Sequence, residues 1–217
     1  MLDSATLRAN MVASQLRTND VSDARVRSAM SITPRERFVP EAAAPLAYME
    51  GCIALKGGRV MLDARSFGKL LQLATILPNE LVLDLGCGMG YSSAVLSLIA
   101  GRVIALEEDA ELAAAAEQNL RALGMMNAEI VRGPLVHGWP NLAPFDVIVI
   151  NGAIEVEPAG LVGQLKSGGR LVTIWREGAA GHARLYVNDD GAVGNRSAFD
   201  AQVPVLPGFE KRPSFVF

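Results

Sequence analysis

From Leu81 the chain settles into an alternation of short apolar runs and stretches with helical periodicity. The runs are LVLDL at 81–85, RVIALE at 102–107, AEIVR at 128–132, FDVIVIN at 145–151 and RLVTIW at 170–175, and the helical stretches among them are YSSAVLSLIA, DAELAAAAEQNLRALG and GLVGQLK. Apolar runs of this length are strands buried on both faces, and strands joined by helical crossovers lie parallel. The expectation is an α/β fold with a doubly wound sheet. After Trp175 the rhythm changes to RLYV, an Asp-Asp-Gly turn and a closing apolar run, which predicts antiparallel strands completing one edge.

The segment ahead of Leu81 has another character. ATLRANMVASQLRTND and SDARVRSAMS carry apolar residues near helical spacing, and the Pro-bounded turn TPRERFVPE follows. GCIALKGGRVML, with β-branched residues around a glycine pair, predicts a hairpin, and DARSFGKLLQLATIL predicts an amphipathic helix ending at Pro78. The division expected is a helical cap and hairpin over 1–78 and a sheet domain over 79–217, packed as one unit of a size ordinary for a single core.

A net charge of −3 leaves no broad basic face, which argues against a partner held by its phosphates and so against nucleic acid. No run reaches the roughly 20 apolar residues of a membrane span. The two cysteines, Cys52 and Cys87, lie at no metal spacing and the polar start MLDSATLRAN has no secretory pattern, which together predict a cytoplasmic setting without metal.

The first strand runs into GCGMG, with Gly86, Gly88 and Gly90 at alternate positions and Cys87 between two of them. In a parallel α/β sheet this turn lies at the ligand crevice, where bare backbone permits close approach. A dinucleotide fingerprint needs its third glycine at position 91, which is Tyr91, and the Gly-Lys-Ser/Thr of a phosphate loop is missing. Asp84, two residues before the turn, repels a pyrophosphate and attracts the ammonium and sulfonium of S-adenosyl-L-methionine. Glu107 ends the second strand, where a carboxylate accepts paired ribose hydroxyls, or else serves the cap of the helix that follows. The candidate cofactor site is therefore Asp84, Gly86, Cys87, Gly88, Gly90 and Glu107.

Beyond this turn the chain resembles the protein-L-isoaspartate O-methyltransferase family. The matching stretches, in family order, are MVASQLRTNDVSDARVRSAMSITPRERFVPE, AYME, GYSSAVLSLIAGRVIALEEDAELA, GWPNLAPFDVIVI and QLKSGGRLV. The resemblance implies a Rossmann-like methyltransferase fold with an antiparallel edge and a helical cap. It also implies S-adenosyl-L-methionine as cofactor and a protein or peptide substrate whose misplaced isoaspartyl carboxylate is esterified. An ionised carboxylate is already a nucleophile, so alignment and water exclusion carry such a reaction and no catalytic triad is expected.

Two stretches depart from the family pattern. Where the family carries Gly-Gln-Thr-x-Ser-Gln-Pro, this chain reads GGRVMLDARS, which puts Val60 at the threonine, Leu62 at the serine, and Arg59 and Asp63 at the glutamines. Each charged hydrogen bond lost there costs about 1.5–3 kcal/mol. Arg59 and Asp63 are the substitute substrate contacts on offer, although Lys56, Arg59 and Arg65 in a surface hairpin read first as solvated cations. In RGPLVHGW, Pro134 replaces the family's adenine-side aspartate. His137 and His182 read as turn residues without a partner, and Trp139 and Trp175 as packing residues. The leading reading is a methyltransferase of the isoaspartyl type; the alternatives are a changed methyl acceptor, or a non-catalytic relative that binds a nucleoside or a protein.

Overall fold

The computed structural model describes residues 3–211, so the end of the closing run, 212–217, lies outside the described residues. Its centre is a seven-stranded sheet built from β3 (Leu81–Leu85), β4 (Arg102–Glu107), β5 (Ala128–Arg132), β6 (Phe145–Ile154), β7 (Leu165–Glu177), β8 (Ala180–Asp189) and β9 (Ala192–Asp200), in the order β5-β4-β3-β6-β7-β8-β9. The pairs from β5 through β7 are parallel, and β8 and β9 add antiparallel strands at one edge. A remaining two-residue pair, β1 (Ile53–Ala54) with β2 (Val60–Met61), forms the hairpin expected within residues 1–78.

The chain leaves β3 toward β4 and β5 on one side and returns to β6 and β7 on the other. The order of strands therefore reverses beside β3, and ligands of such sheets lie in the crevice at that point, outside the strands' carboxyl ends. Helix α4 (Tyr91–Ser97) follows β3, and α5 (Ala110–Ala122), capped at its start by the Asp109 side chain, follows β4. The helix expected over GLVGQLK is one turn only, α6 (Ala159–Val162), because Leu165 already pairs with Phe145 as β7 begins.

Helices α1 (Ser4–Met11), α2 (Ala24–Ile32) and α3 (Ala64–Ala74) make the cap. Helix α3 buries Phe67, Leu70, Leu71 and Ala74, one stripe of its amphipathic surface, and Asp63 caps it by accepting from the Ser66 N–H at 2.8 Å. Met11, Leu16, Met30 and Phe38 of the cap share one apolar cluster with Val82, Val147 and Val172 of the sheet. A polar tie supports this seam: Arg170 on β7 pairs with Glu80 at 2.6 Å and donates to the carbonyls of Ala74 and Thr75 at the end of α3.

The last described segment does not extend the antiparallel edge. It doubles back beside β6, where the Leu206 N–H donates to the Ala153 carbonyl at 2.8 Å, and the Leu206 side chain lies against Gly86 and Gly152.

Candidate functional site

The site residues meet at the carboxyl ends of β3, β4 and β6. Gly86 and Gly88 have φ of +75° and +56°, a left-handed backbone that other residues adopt at a cost, so the alternating glycines are needed to turn the chain from β3 into α4. Gly90 is left-handed too, at φ +93°, and packing adds a second demand: a Cβ there would lie 3.1 Å from the Cβ of Ala116 on α5. What approaches the bare backbone is the chain itself. A Cβ on Gly88 would sit 2.7 Å from Leu55 Cδ1, and one on Gly86 3.1 Å from Leu206 Cδ1.

Asp84 lies at the centre of the sheet, between Ala105 and Val149, and is fully buried. Its Oδ2 accepts from the Ser92 and Ser93 hydroxyls at 2.7 and 2.6 Å, and its Oδ1 from Asn151 Nδ2 at 2.6 Å. Burial pushes its pKa above the ordinary carboxylate range, against the lowering effect of those donors, and the charge of Glu107 pushes the same way. Both oxygens are thus held inward by α4 and β6 rather than offered to a cation. Sequence reasoning missed Ser92, Ser93 and Asn151, although a single Asn ending the apolar run FDVIVIN beside an acid ending LVLDL was the available signal.

Glu107 is also fully buried, at the tip of β4. It accepts from the backbone N–H of Gly88 at 2.9 Å, of Glu108 at 2.8 Å and of Asp109 at 3.1 Å, which knits the glycine turn to the start of α5. Its fourth partner is a cation: Arg59 Nε donates to Oε1 at 3.2 Å. Arg59 is only 5% exposed, so the solvated reading of this arginine is wrong, and the acid it pairs with is Glu107. Asp63, the other substitute contact, serves as the cap of α3. Lys56 does remain exposed, paired with Glu111 at 2.5 Å, and Arg65 is half-buried beside the Asp200 carbonyl.

Val60 and Leu62 come to the glycine turn, as their place in the chain implies. With Phe38, Phe67, Tyr91 and Met89 they wall a cavity of about 20 Å³ above Gly86 and Cys87. That volume holds about one water, whereas a nucleoside-sized ligand occupies a pocket of roughly 300 Å³ or more. Burial first, then the charges of Asp84 and Glu107, keeps the Cys87 thiol well above its ordinary pKa, so it stays protonated and is no nucleophile.

Of the other residues singled out, Pro134 opens a 3-10 turn over Leu135–His137 at the end of β5, and His137 is exposed. His182 is not unpartnered, since its Nδ1 lies 2.8 Å from Asp200 Oδ1 on the neighbouring strand. Trp175 carries the Arg184 guanidinium 4.1 Å above its ring.

Sheet order, the reversal beside β3, the glycine turn and the strand-tip acids define the Rossmann-like methyltransferase class of α/β protein. Comparison with known proteins narrows the class. The family model for protein-L-isoaspartate(D-aspartate) O-methyltransferase matches residues 7–198, and the chain belongs to that family. The protein-L-isoaspartate O-methyltransferase 2 of Anaeromyxobacter sp. is 38% identical over 182 residues, covering 84% of this chain and 74% of the relative. The Synechococcus sp. protein-L-isoaspartate O-methyltransferase is 35% identical over 193 residues, covering 89% and 76%. Among solved structures, a protein-L-isoaspartate O-methyltransferase superposes with a TM-score of 0.79 at 23% identity, over 93% of this chain and 66% of that one. A Plasmodium falciparum structure solved with S-adenosyl-L-homocysteine gives a TM-score of 0.76 at 19% identity, over 95% and 99%.

Proposed function

We propose that this chain is an S-adenosyl-L-methionine-dependent methyltransferase of its family's type, acting on a carboxylate of a protein or peptide in the cytoplasm. Family membership over residues 7–198 carries the reading. The donor set suits an adenosyl compound: Glu107 is an acceptor for a ribose diol, and the turn over Gly86–Gly90 is bare backbone beside it. The space does not suit it while Leu55 and Arg59 lie where they do, so the hairpin has to leave before such a ligand enters. When bound, the cofactor supplies an electrophilic methyl group. The chain's own part is to hold the nucleoside, shed water and align the acceptor.

The methyl acceptor is a different matter from the cofactor. Val60 and Leu62 offer no hydrogen bond to a carboxylate, and the wall they share with Phe38 and Phe67 is apolar. A carboxylate drawn against it loses about 1.5–3 kcal/mol for each charged hydrogen bond not replaced. We read the acceptor as one recognised through its flanking groups, with 1–78 as the cover and 79–217 as the cofactor unit.

The buried Arg59–Glu107 pair favours a second reading, a relative that has given up methyl transfer and keeps the fold as a binding module. One experiment separates the two. Calorimetry with S-adenosyl-L-methionine is followed by a methyl-transfer assay on matched isoaspartyl and aspartyl peptides and on a panel of acidic proteins. Binding with turnover on any acceptor supports the enzyme; binding without turnover across the panel supports the module.

A further inference from the structure

We propose that the hairpin carrying β1 and β2 is a built-in competitor for the adenosyl site, latched by Arg59 on Glu107 and by Leu55 on Gly88. This rests on the cofactor reading above and adds what sets the cofactor's affinity.

Three contacts made by one short turn support it. Leu55 fills the space beside Gly88, the bare backbone that a ligand would use. Arg59 takes the carboxylate at the tip of β4, where a ribose diol would donate. Lys56 reaches across to Glu111 and, at 3.9 Å, to Asp109, so a basic turn lies on the acidic entrance to α5. The turn is closed upon itself by the Leu55 N–H donating to the Arg59 carbonyl at 2.8 Å and by the Arg59 N–H donating to that of Lys56 at 3.2 Å, so it moves as a unit.

The element is also built to be released. Its ladder has two residue pairs, Ile53 with Met61 and Ala54 with Val60, far fewer than any strand of the main sheet. Arg59 Nη1 makes no hydrogen bond to another described residue and Nη2 comes only within 3.8 Å of Glu108, so the guanidinium is tied down mainly through the single Nε contact with Glu107. The other three donors on Glu107 are the backbone N–H groups of Gly88, Glu108 and Asp109, none of them on the hairpin, so lifting the hairpin need not disturb the acceptor for a diol. Asp84 has no such exchangeable partner, since every donor on it comes from α4 or β6.

A ligand that needs the open state binds with its intrinsic dissociation constant divided by the open fraction. The test titrates S-adenosyl-L-homocysteine, which has no methyl to transfer, into the full chain, Arg59→Ala and Leu55→Ala. Thermal melts establish that the variants are folded, and nitrogen-15 NMR of the Arg59 Nε–H follows the latch in the parent and in Leu55→Ala. Arg59→Ala is expected to bind about tenfold or more tightly than the parent, as for a parent open a tenth of the time or less, and Leu55→Ala several-fold more tightly. The Arg59 Nε–H, which the latch itself holds on Glu107, should exchange faster in Leu55→Ala and lose its protection in the liganded parent. Equal affinity in all three chains, or ligand bound with the Arg59 Nε–H still protected, overturns the latch and leaves the cofactor reading standing. No binding to any folded variant overturns both.

Discussion

Two acids lie at the carboxyl ends of neighbouring strands, both fully buried, and they are held in different ways. Asp84 on β3 is surrounded by neutral donors of the fold itself, Ser92, Ser93 and Asn151. Glu107 on β4 has three backbone donors and a guanidinium brought by the hairpin. Unmaking the first set means unpacking α4 from the sheet, whereas unmaking the second means moving a turn. Asp84 is therefore fixed by the fold, and Glu107 is the acid with a partner drawn from a separate turn.

Substitution at Glu107 should break this contrast most severely. Glu107→Ala strands three backbone donors and leaves Arg59 with Glu108 alone, 3.8 Å from its Nη2, and about 3–5 kcal/mol is expected to be lost in denaturant titration. Arg59→Ala should cost less, about 1–2 kcal/mol, because the hairpin can lift and let water reach a carboxylate that retains its backbone donors. Equal losses for the two variants would mean that the hairpin cannot lift.

Asp84→Asn turns one carboxylate oxygen into an amide donor, set against Asn151 Nδ2 in one orientation or the Ser92 and Ser93 hydroxyls in the other, and a loss of about 1–3 kcal/mol is expected. The pH dependence sharpens the contrast further. Burial raises the pKa of Asp84, so between the ordinary carboxylate value and the raised one the folded chain holds a proton that the unfolded chain has released. Stability should then fall as pH rises through that window, and Asp84→Asn should lack this part of the slope. A parent and variant with parallel pH profiles would show that Asp84 does not carry the effect.

The smallest effect belongs to Lys56, half exposed in its pairs with Glu111 and Asp109. Lys56→Ala should leave the denaturant midpoint within error, and any change in ligand affinity should shrink as salt is added. A large salt-independent change would place the latch at Lys56 rather than Arg59.

Much of this arrangement was legible in the sequence, and what was hidden has a physical reason. The strands LVLDL, RVIALE and AEIVR have the bounds expected of them, because a strand buried on both faces is a continuous apolar run with sharp ends. The hairpin was readable from its glycine pair and flanking β-branched residues. GLVGQLK looked like a longer helix because its apolar spacing fits either element, and pairing with Phe145 decides for the strand at Leu165. Arg59 meets Glu107 across 48 residues, and no local spacing announces such a partner; in a hairpin flanked by glycines a cation reads as solvated until the sheet tip that it covers is known. The same applies to Leu206, whose segment was read as part of an antiparallel edge and instead returns to the glycine turn. The glycine turn was legible as backbone kept bare, but what lies against it was not.

The central claim is that Glu107 exchanges Arg59 for an adenosyl ligand, and the Arg59 Nε–H reports on it directly. Followed by nitrogen-15 NMR in the full chain, that proton should exchange slowly with solvent in the free protein and lose its protection and its chemical shift as S-adenosyl-L-homocysteine saturates the site. An Arg59 Nε–H that stays protected and unshifted while the ligand is demonstrably bound would contradict the account.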